Sequence, residues 1–166
     1  MVAVSQIEFT TIHSYGSERE GISVPVILKA GENSVRLAAS IDTGATFCIF
    51  RNELADARNE LADARNELAD ARNELADARN ELADALGLHP ANASLKRFRT
   101  ANSSFEAFGH EVEISVLGVT TVSIVYFFVD ASINKNVLGR VGWLDRVRLG
   151  LVDHDTTMYL APYDTE

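Results

Sequence analysis

"SIDTGAT", residues 40–46, places one carboxylate, Asp42, after an apolar run and just ahead of a glycine that permits a tight turn and close backbone approach. An Asp in such a place often does no more than cap a turn through its side chain. Its weight therefore depends on what accompanies it. A second segment, "NVLGRVGWLD" at 136–145, offers two apolar residues, a glycine and an arginine. Beyond it, Val141, Leu144 and Val147 recur at a spacing of three, which predicts one short C-terminal helix closed by Gly150. Between and around these segments the chain reads as β-rich runs at 6–12, 23–28, 35–41, 96–100, 105–117 and 119–129. Turn signals separate them: "KAGENS" around Gly31, "ANSS" at 101–104 and "LGV" around Gly118. "GLVDHDTTMYLAPY" at 150–163 reads as a final hairpin. The expected class is mainly β, largely antiparallel.

One stretch departs from this pattern. Residues 51–85 are the heptapeptide RNELADA written five times without a change. Ala, Leu, Arg and Glu favour helix, and Gly87 followed by Pro90 is a stop signal, so the repeat predicts one long inserted α-helix of about 52 Å. Leu54, Leu61, Leu68, Leu75 and Leu82 fall at a of a heptad, with Ala57, Ala64, Ala71 and Ala78 at d. Glu at g then faces Arg at e across a parallel pair, which predicts a coiled-coil arm able to support higher assembly through parallel pairing. The expected organisation is a β lobe formed by 1–50 and 86–166, with 51–85 as the helical arm.

The two segments that flank this arm resemble the retropepsin-like aspartic proteases, the single-lobe relatives of pepsin, and their small bacterial members in particular. The resemblance covers nearly everything but the repeat. It implies a closed β-barrel lobe, with Asp42, Thr43 and Gly44 as the catalytic triplet. It also implies that Ala45 and the apolar-apolar-Gly segment Val137, Leu138 and Gly139 lie beside the active site, with Arg140 opening the last helix. The hairpin at 98–108 falls where the family has the flap that closes over substrate, so Thr100, Ala101, Asn102, Ser103 and Ser104 are the expected tip contacts. Family members often continue the Asp loop into a short helix and "LGL". "FRNELADALGL" would be that helix if four copies were removed, and the repeat is then an in-place expansion of it.

Aspartic proteases need two carboxylates sharing one proton, and this chain has one Asp-Thr-Gly. The expectation is therefore an obligate homodimer with Asp42 from each subunit across a twofold axis, hydrolysing a peptide or protein substrate at acidic to near-neutral pH. The rival reading is a catalytically silent scaffold of the same fold that associates through the repeat helix.

Composition narrows the remaining classes. Each repeat carries one Arg, one Glu and one Asp, so the five copies supply −5 of the net −9, and the charge says little about substrate. An acidic chain does not predict nucleic-acid binding, which needs clustered cations. No metal or other cofactor is expected, since His13, His89, His110 and His154 lack ligand spacing with one another or with Cys48. The single cysteine, between Phe47 and Ile49, reads as core packing, as do Trp143 and Leu144. The start "MVAVSQIEFTT" lacks a basic region followed by an apolar one, and the longest strongly apolar run, 122–129, is too short to span a bilayer as a helix. These features predict a cytoplasmic protein with no membrane partner.

Overall fold

The computed structural model describes residues 7–16, 21–51, 81–88, 93–99, 104–129 and 135–163. Alternation fixes the first hairpin: β1 (Thr11–Ser14) is followed by β2 (Ser23–Ala30), in which Val24, Val26 and Leu28 are buried while their neighbours point outward. Gly31, at φ 58°, turns the chain into β3 (Asn33–Ile41), which pairs antiparallel with β2 from Ser23↔Ser40 to Ala30↔Asn33. A short β4 (Ile49–Phe50) follows. The second hairpin joins β6 (Ser104–Val116) to β7 (Val119–Phe128) through Leu117 at φ 50° and Gly118 at φ 87°. Two consecutive positive φ values are the signature of a two-residue turn matched to the twist of the strands.

The strands close on themselves. β3 runs parallel to β8 (Val137–Leu138), β8 pairs with β4, β4 runs parallel to β7, β7 pairs with β6, and β6 returns to β2 through Val26↔Val116. Closure removes free edges around this ring. The far half of β6 carries β5 (Ser94–Arg99) as an outer strand. A separate three-stranded sheet has the order β1–β10–β9, with β9 (Val147–Val152) and β10 (Thr157–Pro162) forming the anticipated last hairpin. Phe50, Ile114, Val125, Phe127, Leu138 and Trp143 meet in the common core, each fully or almost fully buried. The β-rich expectation agrees with this architecture.

Both helical expectations need correction. Among the described residues no helix reaches seven residues. The repeat contributes one five-residue helix, α1 (Glu81–Ala85), rather than the long inserted arm; the expectation for 52–80 lies outside the described residues. α1 ends on Gly87 at φ 69°, and the Leu88 N–H reaches back to the Ala83 carbonyl at 2.8 Å, the six-to-one bond of a glycine-terminated helix. Its apolar face is not the heptad seam. Leu82, Ala83 and Leu86 are 1–2 % exposed in the core, whereas Ala85, at the d position, is exposed. Leu82 is thus already occupied by the β lobe, and the heptad coiled-coil assignment is withdrawn. Leu86 stands where each earlier copy is followed by Arg, so only the last copy presents three apolar residues to this face.

The expected C-terminal helix is instead a single 3-10 turn, Leu144–Arg146, that leads straight into β9. Gly142 at φ 101° sits outside helical geometry, and its N–H donates to Asp145 Oδ1 at 2.9 Å. Gly150 does not close a helix; it pairs with Tyr159 in the β9–β10 ladder, and the Phe9 ring packs over it. A spacing of three among apolar residues fits a 3-10 turn as well as a helix. No helix among the described residues is long and apolar enough to cross a membrane.

Candidate active site

The site begins where β3 stops. Ile41 is the last strand residue, and its N–H donates to the Ile22 carbonyl at 2.8 Å; the next N–H, that of Asp42, donates to the Leu138 carbonyl of β8 at 3.1 Å. The chain then turns sharply. The Asp42 carboxylate folds back over its own loop, with Oδ1 accepting the Gly44 N–H at 2.8 Å and the Ala45 N–H at 3.2 Å. A Cβ at Gly44 would stand 3.2 Å from that same oxygen, so glycine keeps the approach open. Asp42, Thr43 and Gly44 are all exposed, and Ala45 is half-buried. The carboxylate is therefore oriented by two backbone donors and still open to an approaching group.

The second motif holds the loop from behind. After β8 the chain crosses the Asp loop: the Arg140 N–H donates to the Ala45 carbonyl at 2.9 Å, and the Val141 N–H donates to the Thr46 carbonyl at 2.7 Å. Phe47 and Val141 form a parallel bridge. At the crossing, a Cβ on Gly139 would lie 2.3 Å from the Phe47 carbonyl oxygen, so only glycine permits this contact. Two side chains brace the junction. Asn136 Nδ2 donates to the Ala38 carbonyl at 2.9 Å, and its Oδ1 accepts the Arg51 N–H at 3.1 Å, tying β3 to the end of β4. Cys48, fully buried, accepts the Gly139 N–H on its sulfur at 3.4 Å.

Burial pushes the Cys48 thiol up to about 11, which fits the expected packing role. The unfolded thiol loses its proton first as pH rises, so the unfolded state binds fewer protons between the two values. The Cys48 contribution to stability is expected to be constant below about pH 9 and to be lost as pH rises toward about 11. Urea melts across that range, repeated on Cys48→Ala, measure the effect; an equal alkaline loss in the variant would assign it elsewhere.

The structure thus brings Asp42, Thr43, Gly44 and Ala45 together with Val137, Leu138 and Gly139. Of the anticipated flap contacts, Thr100, Ala101, Asn102 and Ser103 lie outside the described residues, and Ser104 is exposed at the start of β6. β5 and β6 form the hairpin that carries them, in register from Ser94↔Gly109 to Arg99↔Ser104. Trp143 is buried and Leu144 half-buried, as core residues should be. No cluster of three potential metal ligands occurs among the described residues.

An aromatic group beside the Asp loop was not anticipated. Phe47 packs edge-on against Phe98 of β5 and Tyr126 of β7, at 5.7 and 5.3 Å, and Phe98 stacks on Phe105 at 5.1 Å. Lys96 Nζ lies over Phe47, 3.9 Å from the ring centre. These residues come from three separate strands and the loop. Only the alternation of Lys96 and Phe98 along β5 is visible locally.

No protein-family model matches the chain, and no curated protein is significantly similar to it.

Proposed function

We propose that this chain is an aspartic endopeptidase that works as a homodimer, each subunit contributing Asp42. The observation that carries the reading is the exposed Asp42 carboxylate, aimed by the Gly44 and Ala45 N–H groups on a loop stitched to the segment at 137–141. A single carboxylate on the surface of one lobe is half of the required chemistry. Two such loops meeting across a twofold axis would bring the carboxylates about 3 Å apart, where both cannot ionise and one proton is shared.

The reaction follows from that shared proton. The ionised carboxylate takes a proton from a water lying between the pair as the water attacks the scissile carbonyl, while the protonated one donates to the carbonyl oxygen. The resulting tetrahedral intermediate collapses as the amide nitrogen gains a proton from the dyad, and the C–N bond breaks. Gly44 lets its backbone N–H stay close to the carboxylate throughout. Thr43, exposed on the same loop, would brace the opposite loop across the axis. The β5–β6 hairpin lies on the side of the lobe that carries Phe47, where it can cover an extended peptide.

Purified protein incubated with a diverse peptide mixture from about pH 3 to 8, the span over which a carboxylate pair can hold one proton, tests the proposal. Defined internal cleavages by the parent and none by Asp42→Asn support it. An intact mixture at every pH leaves the silent-scaffold reading.

A further inference from the structure

We propose that Lys96 selects an acidic side chain in the peptide substrate, making it a specificity-determining residue of this site; the inference rests on the peptidase reading. Alternation along β5 puts Lys96 and Phe98 on one face, toward Phe47 and Tyr126, and puts Arg97 on the other, where it pairs with Glu106 at 3.5 Å. Lys96 Nζ sits 3.9 Å from the Phe47 ring centre, 5.2 Å from that of Tyr126 and 5.4 Å from that of Phe98. All three fall within the range of cation–π attraction. Among the described residues no carboxylate forms an ion pair with Lys96, and its side chain is exposed.

An exposed lysine ordinarily samples many rotamers. Here three rings lie within cation–π range of the ammonium group and favour this one placement, which lowers the ordering cost of binding a partner. Its location gives the partner's identity. Phe47 is five residues beyond Asp42 on the same loop, so their Cα atoms are at most about 17 Å apart. β5 belongs to the hairpin on the peptide side. A cation at the junction of hairpin and loop is therefore within reach of a side chain of an extended peptide that lies along the Asp42 loop. The complementary group is the carboxylate of Asp or Glu. Pairing would satisfy the ammonium without displacing it from the rings.

The test is the cleavage preference of the parent, Lys96→Gln and Lys96→Glu, each profiled on a peptide library randomised on both sides of the cut. The parent is expected to enrich Asp and Glu at one fixed position, and to lose that preference as salt rises. Lys96→Gln should abolish the enrichment and Lys96→Glu should replace it with Lys or Arg. For the best acidic peptide kcat/KM should fall about tenfold in the charge-reversed variant, mainly through KM. Identical preferences in all three proteins would overturn the inference and leave the peptidase reading standing. No cleavage by the parent at any pH would overturn both.

Discussion

Replacing Asp42 by Asn is expected to lower peptide hydrolysis by at least about 10³-fold, with the oligomeric mass and unfolding midpoint unchanged. The amide is nearly isosteric with the carboxylate. Its oxygen can still accept the Gly44 and Ala45 N–H groups now held at 2.8 and 3.2 Å, so the loop keeps its turn. What it cannot do is ionise or share a proton, and those are the properties the proposed attack by water requires. Loss of activity with retained fold separates chemistry from architecture. Hydrolysis by Asp42→Asn within a few-fold of the parent would remove Asp42 from the mechanism.

Gly139→Ala carries the second large effect, and it acts on architecture first. The added Cβ would meet the Phe47 carbonyl oxygen at 2.3 Å, the Phe47 carbonyl carbon at 2.5 Å and the Ala45 carbonyl oxygen at 3.0 Å. All three are backbone atoms, so no side chain can swing away to relieve the contact. The crossing strands must part, which strains the Arg140→Ala45 and Val141→Thr46 hydrogen bonds and the Gly139 N–H contact to Cys48. A loss of about 3 kcal/mol is expected, at the upper end of overpacking penalties. Urea unfolding should show the lower midpoint, and the folded fraction should cleave poorly because the Asp42 loop rests on this crossing. A variant with parental stability and activity would contradict the geometry assigned to the loop.

How far the sequence could be read depended on how local the determining contacts were. Val24, Val26 and Leu28 announce a strand by alternation alone, and Gly31 and Leu117-Gly118 mark turns that need positive φ. The packing of the Asp-Thr-Gly loop against 137–139 was expected only through the resemblance of the two motifs to the retropepsin-like pattern; nothing in their spacing or periodicity implies it. The helices were not legible. Five identical heptads offer an a/d pattern, yet the lobe takes Leu82, Ala83 and Leu86, a face that depends on the core waiting for it. Val141, Leu144 and Val147 look helical until Gly142 adopts φ 101° and Val147 enters a β ladder with Pro162. The ring of Phe47, Phe98, Tyr126 and Lys96 gave no linear signal, because closure of the sheet is what gathers it.

If one active site needs Asp42 from two chains, subunit mixing will reveal it. Parent protein equilibrated with an excess of Asp42→Asn protein of roughly ninefold should partition almost entirely into mixed dimers, each holding a single ionisable Asp42. Hydrolysis per parent chain is then expected to drop about tenfold, in step with the fraction of parent homodimer left. Hydrolysis per parent chain that stays constant across the titration, while the two proteins exchange subunits, would show that one chain suffices and would contradict the shared-carboxylate site.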